Sequence, residues 1–110
     1  MKVAIIGSRS LKVKNLQQYL PEEICEIISG GAKGVDECAK EYALENNIKL
    51  TVIFPDYKKY GRVAPIKRNI DIITRADKVF AFWDGKSKGT FNVINECKKR
   101  KIPIEIIVLE

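Results

Sequence analysis

An apolar run over residues 24–28 leads into Ser29-Gly30-Gly31-Ala32-Lys33-Gly34, and beyond Gly34 apolar residues fall at Val35, Cys38, Ala39, Tyr42 and Ala43. That i, i+3, i+4, i+7, i+8 spacing is the stripe of a helix with one buried face, so the local order is strand, glycine turn, helix. Backbone amides at such a helix start lack intrahelical partners and face the positive end of the helix dipole, and glycines let a phosphate approach closely. One reading is a phosphate or nucleotide site; the other is a tight turn that holds no ligand.

The same strand–loop–helix order recurs along the chain. Residues 2–6 are an apolar strand followed by Gly7-Ser8-Arg9-Ser10. Residues 11–20 read as a modest helix burying Leu11, Leu16 and Leu20, ended by Pro21. A strand over 23–29 and a helix over 33–46, closed by Asn46-Asn47, come next. A β-branched and aromatic strand over 49–54 precedes Pro55-Asp56-Tyr57-Lys58-Lys59-Tyr60-Gly61-Arg62, which reads as an irregular loop. It either lies over a bound base or phosphate or is a solvated loop whose tyrosines cover the core. A helix over 64–75 carries Pro65 in its first turn and buries Ile66, Ile70 and Ile73. Residues 78–83 are a continuous apolar strand, 84–90 a second glycine loop with Thr90 as helix cap, 90–101 a helix burying Phe91, Ile94 and Cys97, and 103–109 the last strand. Strands alternating with helices over 110 residues predict one α/β domain, with a parallel sheet and helices on both faces.

In such sheets ligands bind beyond the carboxyl ends of the strands. All seven glycines lie in the loops that follow strands, and none in the loops that precede them: Pro21-Glu22, Asn46-Asn47, Arg75-Ala76-Asp77 and Lys101-Ile102-Pro103. Glycines serving only as turn punctuation would be shared between both edges.

Composition narrows the chemistry. The chain has no histidine, which removes the commonest general base and most zinc sites, and nothing in the sequence demands a metal or cofactor. Cys25, Cys38 and Cys97 lack metal-ligand spacing and read as small hydrophobes, Cys25 in a strand and the others on helix faces. A net charge of +6 admits an anionic partner, a phosphorylated small molecule or nucleic acid, without choosing between them. No apolar run approaches membrane-spanning length and the chain opens directly on a strand, so the expectation is a cytoplasmic protein with no membrane partner.

Two nucleotide motifs fail. Gly85-Lys86-Ser87 suggests a Walker A loop, but Phe80 stands where its first glycine belongs. The G-x-G-x-x-G dinucleotide pattern is also absent, so dehydrogenase-style binding is not expected. By contrast, Ile6-Gly7-Ser8-Arg9, Ser29-Gly30-Gly31-Ala32-Lys33-Gly34-Val35-Asp36, Lys59-Tyr60-Gly61-Arg62, Lys67-Arg68-Asn69 and Ala81-Phe82-Trp83-Asp84-Gly85-Lys86-Ser87-Lys88-Gly89-Thr90 resemble, in order, the small stand-alone members of the SLOG superfamily. That superfamily groups the DNA-processing protein DprA, the LOG phosphoribohydrolases and nucleotide-sensing domains. The resemblance implies a Rossmann-like three-layer α-β-α fold with a mostly parallel five-stranded sheet, a nucleotide-derived ligand, and a tendency to form homo-oligomers. It implies that Gly7, Ser8 and Arg9 line the pocket and that the backbone of 30–34 holds ribose or phosphate. Asp36 would face the site, Gly89 and Thr90 would cradle phosphate, and Lys67, Arg68 and Asn69 would supply charge and hydrogen bonds.

The resulting candidate ligand-binding set is Gly7, Ser8, Arg9, Gly30, Gly31, Ala32, Gly34, Val35, Asp36, Lys67, Arg68, Asn69, Asp84, Gly85, Ser87, Gly89 and Thr90, with Asp36 and Arg68 as the catalytic candidates. Asp36 is either a ribose-binding or water-activating carboxylate or a first-turn acid worth up to ~1 kcal/mol to its helix. Asp84 has the same two readings; Trp83 is core or stacks on a base. The LOG enzymes carry a catalytic glutamate shortly after a Gly-Thr pair, where this chain has Asn92, an amide that cannot act as a general base. DprA proteins are longer. Three functions follow: a nucleotide-derivative binding or sensing domain, an N-glycosidic hydrolase of nucleoside 5'-monophosphates, and a single-stranded nucleic-acid binder.

Overall fold

The computed structural model describes residues 1–109. Five strands, β1 (Lys2–Gly7), β2 (Glu26–Ser29), β3 (Lys49–Val52), β4 (Lys78–Trp83) and β5 (Ile104–Val108), form one sheet in the order β3-β2-β1-β4-β5. Every neighbouring pair is parallel. Helices α1 (Val35–Glu45), α3 (Ala64–Arg75) and α4 (Lys88–Arg100) cover the faces, and α2 (Tyr57–Tyr60) is a single turn. The result is a Rossmann-like, doubly wound three-layer α/β fold.

Strand alternation builds two cores. Val3, Ile5, Ile27, Phe80 and Phe82 point to one side, where Val35, Ala39 and Ala43 of α1 meet them. Ala4, Ile6, Ile28 and Val79 point to the other, against Ile72 and Ile73 of α3 and Val93 and Cys97 of α4. The central strands are therefore apolar throughout, as a strand covered on both faces must be.

Several local expectations are corrected. No α-helix forms over 11–20; only a 3₁₀ turn at Leu16–Gln18 is present. Leu11 and Val13 are buried while Lys12 and Lys14 are exposed, a period of two that belongs to an extended chain. Asn15 takes a left-handed φ of 56°, which ends any right-handed continuation. The segment still delivers Leu11, Leu16 and Leu20 to the first core. Cys25 is exposed in a bend ahead of β2 rather than within a strand. The segment after β3 is helical, not irregular: Asp56 caps α2, its carboxylate accepting the Lys59 amide at 3.1 Å, and a 3₁₀ turn over Gly61–Val63 runs into α3.

The buried stripe of α3 is Ala64, Ile72 and Ile73, with Ile66 exposed, because the first half of this helix overhangs the carboxyl edge of the sheet. Helix α4 starts at Lys88, capped by Ser87 rather than Thr90. It buries Thr90, Val93, Ile94 and Cys97, while Phe91 turns outward and stacks on Trp83 with ring centroids 5.6 Å apart.

Candidate functional site

The sheet order reverses between β1 and β4, the two strands whose following connections leave toward opposite faces, and a crevice opens at that point. It is a cavity of about 450 Å³, within the usual size range for a small-ligand pocket. Its walls come from the loop after β1, the loop after β2, α3 and the start of α4.

The loop after β1 is held by close packing. The Ser8 amide donates to the Phe82 carbonyl at 3.0 Å, and the Ser8 hydroxyl accepts the Asp84 amide at 3.2 Å. A side chain on Gly7 would strike Val35 and the Phe82 carbonyl, and one on Gly34 (φ 74°) would strike the Arg9 and Ser8 carbonyls. These two glycines let the loop, the sheet and the start of α1 come together; Ser8, Arg9 and Ser10 are thereby carried to the cavity wall.

The glycine turn before α1 is already satisfied from within. The Ala32 amide donates to Asp36 Oδ2 at 2.9 Å and the Gly34 amide to Glu37 Oε1 at 3.0 Å. Two first-turn carboxylates thus take the Ala32 and Gly34 amides and set negative charge at the positive end of the helix dipole. Asp36 is 9% exposed and lines the cavity. Burial raises its pKa, opposed by the Ala32 amide, by the Ser29 hydroxyl nearby (outside hydrogen-bonding geometry), and by Arg68 and Arg9.

Arg68 crosses from α3 to the ends of β2 and β3. Its Nη1 donates to the Gly30 carbonyl at 2.9 Å and, more distantly, to Ile53 at 3.5 Å, while Nε donates to Asn69 Oδ1 at 2.8 Å. Burial lowers its pKa and Asp36 pulls it back up. A guanidinium fixed on one side by carbonyls presents its remaining donors to the cavity.

The opposite wall is the start of α4. Asp84 Oδ1 accepts the Lys86 and Ser87 amides at 2.8 and 2.7 Å, and its Oδ2 accepts the Ser10 hydroxyl at 3.0 Å. These donors hold its carboxyl down to about pKa 2. Asp84 is thereby an organiser of the loop, its oxygens engaged by protein. The first turn of α4 carries no acid. The Lys88 and Gly89 amides precede the first intrahelical acceptor, and a Cβ on Gly89 would meet only open space. Of the two glycine-bearing helix starts, this is the one whose first turn carries no acid.

Gly7, Ser8, Arg9, Gly30, Ala32, Asp36, Arg68, Asn69, Asp84, Ser87, Gly89 and Thr90 are brought together on the cavity wall. Gly31, Gly34, Val35, Lys67 and Gly85 are not among the lining residues. Gly31 packs beneath Phe54 and Val52, Val35 is core, and Lys67 Nζ stands 6.0 Å from the Tyr60 ring. Asn92 is also off the wall, its Oδ1 buried without a hydrogen-bond partner among the described residues. Pro65 and Ile72, which sequence reasoning passed over, line the cavity with Arg68 and Asn69. Their i, i+3, i+4, i+7 spacing is one helix face, and extending it from Arg68 would have found both. Tyr57, Lys58, Lys59, Tyr60 and Arg62, on the segment that leads into α3, are exposed.

Comparison with known proteins adds a family. The family model for DNA recombination-mediator protein A matches residues 1–76. The Gene 61 protein of Mycobacterium phage D29 is 31% identical over 116 aligned positions, spanning 94% of this chain and 93% of that protein. No solved structure matches the chain.

Proposed function

The chain belongs to the DNA recombination-mediator protein A family, and from that footing we propose that it binds a nucleotide or nucleotide derivative, such as a nucleoside monophosphate or an ADP-ribose-like ligand, in the cavity at the carboxyl edge of its sheet. The observation that carries this reading is the start of α4, whose first turn holds no acid and whose neighbouring carboxylate, Asp84, is engaged by its own loop, opening through Gly89 into a cavity whose other walls hold Arg9 and Arg68. A phosphate there receives backbone amides, the helix dipole and two guanidinium groups. The ribose falls to Asp36, an acceptor suited to hydroxyls. The test is a thermal-shift panel of AMP, NAD, ADP-ribose and short single-stranded DNA. A ligand at a hundred times its Kd adds about 2.7 kcal/mol, and Arg9→Ala is expected to abolish the shift. Stabilisation by DNA alone would overturn the reading.

A second reading, a single-stranded nucleic-acid binder, is favoured by the exposed Tyr57, Lys58, Lys59, Tyr60 and Arg62 on the segment that leads into α3, because basic side chains interleaved with aromatic rings track a phosphate backbone and stack bases. It expects affinity that grows with oligonucleotide length and a salt dependence that weakens when Lys58, Lys59 and Arg62 are neutralised. Support for N-glycosidic hydrolysis comes from Asp36 alone: Asp84 is engaged by its loop and Asn92 is off the wall. Release of free base from AMP or NAD, lost in Asp36→Asn, would establish that activity.

A further inference from the structure

The cavity shares a wall with a second cleft. Ala32 and Asp36 face both. The second cleft, about 470 Å³, lies between α1 and the β3 edge, with Leu44, Leu50, Val52 and Phe54 among its walls. Two features are unexplained by folding. Phe54 is 68% exposed, its ring lying against Gly31, where any side chain would strike it. The Ser29 hydroxyl, on the same cleft, is 1% exposed and makes no hydrogen bond among the described residues. An unpaired buried hydroxyl is unfavourable unless something entering the cleft supplies its partner.

We propose that this cleft is the nucleobase subsite of the ligand whose phosphate lies at the start of α4. The proposal rests on the phosphate reading of the main cavity. A planar ring stacks on Phe54 over Leu50 and Val52, and a polar atom on its edge pairs with Ser29 Oγ. The ribose passes Ala32 with its hydroxyls toward Asp36, the residue common to both spaces. The charges argue against a second phosphate here. Lys33 and Lys40 are offset by Glu37 and Glu41 on the same walls. The amide at the helix start is already given to Glu37. What remains is apolar surface, one exposed aromatic face and one unpaired hydroxyl, a combination that suits a flat heterocycle.

Calorimetric titration of ribose 5-phosphate against AMP, GMP, CMP and UMP tests this on the wild-type chain and on Phe54→Ala, Ser29→Ala and Gly89→Leu. Phe54 is exposed, and Ser29→Ala removes a hydroxyl that makes no hydrogen bond among the described residues and acts on Asp36 only as a neighbour, so both variants keep the fold. At least one monophosphate is expected to bind tenfold or more tightly than ribose 5-phosphate. Phe54→Ala should remove most of that preference with ribose 5-phosphate unchanged within about twofold, and Ser29→Ala part of it, read as the ratio of monophosphate to ribose 5-phosphate affinity because Ser29 also neighbours Asp36. Gly89→Leu should weaken all five probes together. The subsite is overturned if ribose 5-phosphate binds as well as every monophosphate, or if the base preference survives both Phe54→Ala and Ser29→Ala. If none of the five probes binds, the phosphate reading itself fails and takes the subsite with it.

Discussion

A Cβ added to Gly7 would collide with Val35 and the Phe82 carbonyl, whereas one added to Gly89 would meet open space. Gly7→Ala is therefore expected to cost about 1–3 kcal/mol through overpacking, read as a lower urea midpoint. Gly89→Ala should leave stability unchanged or raise it by up to ~1 kcal/mol, since alanine is the better helix former, while weakening phosphate binding. Opposite signs in the two assays would separate a glycine needed by the fold from one needed by a ligand. Asp36 and Asp84 make a second contrasting pair. Burial raises Asp36 above its ordinary 3.8, so its contribution to stability is complete below that value and lost as pH rises through the raised one. Asp36→Asn should therefore gain on the wild type as pH climbs above 3.8. Asp84 is depressed to about 2, so its contribution is complete above 3.8 and lost as pH falls through about 2. Asp84→Asn should melt earlier than the wild type at pH 7, with the gap closing as acid is added; a gap independent of pH would show that the Lys86, Ser87 and Ser10 donors do not act through its charge.

At the scale of elements, α3 is the helix whose bounds the sequence predicted correctly and whose face it predicted in part: Ile73 is buried and Ile70 half-buried, but Ile66 is exposed and Ile72 takes its place in the core. Its apolar residues at Ile66, Ile70, Ile72 and Ile73 allow more than one stripe, and the choice depends on how far the helix overhangs the sheet. Ile73→Ala should cost roughly 2–5 kcal/mol and Ile66→Ala less than about 0.5, measured by chemical denaturation. Equal costs would mean the helix is rotated. The chain over 11–20 shows a different limit. Leu11, Leu16 and Leu20 fit a helical spacing loosely, yet the alternation of Leu11, Lys12, Val13 and Lys14 and the left-handed Asn15 win because the backbone there lies along the core, its Val13 amide donating to the Cys38 sulfur at 3.4 Å. Its nearest anchor is a helix far along the chain, which no local window contains.

For the molecule as a whole, the order β3-β2-β1-β4-β5 puts β1 in the middle, paired over most of its length with the equally long β4, with β2 and β4 also neighboured on both sides, while residues 8–25 have no ladder. Native-state hydrogen exchange should find the amides of β1 and β4 slowest and those of 8–25 among the fastest. Uniform protection across the two would contradict that arrangement. Much of this organisation is local and so was legible in residue order alone: the alternation of strand and helix, the bounds of residues 64–75 and 78–83, and the confinement of every glycine to one edge of the sheet follow from hydrophobic period and from where the backbone must turn sharply. Two statements needed the tertiary structure. Which amides at the two glycine-bearing helix starts are taken within the protein was decided by side-chain placement: Asp36 and Glu37 accept the Ala32 and Gly34 amides before α1, and Asp84 accepts the Lys86 and Ser87 amides before α4. Which residues share one cavity was decided by contacts such as Ser10 to Asp84, 74 positions apart, and Arg68 to Gly30, 38 apart. A turn's conformation depends on its immediate neighbours, but the satisfaction of its amides and the company of its side chains depend on what the folded chain brings alongside.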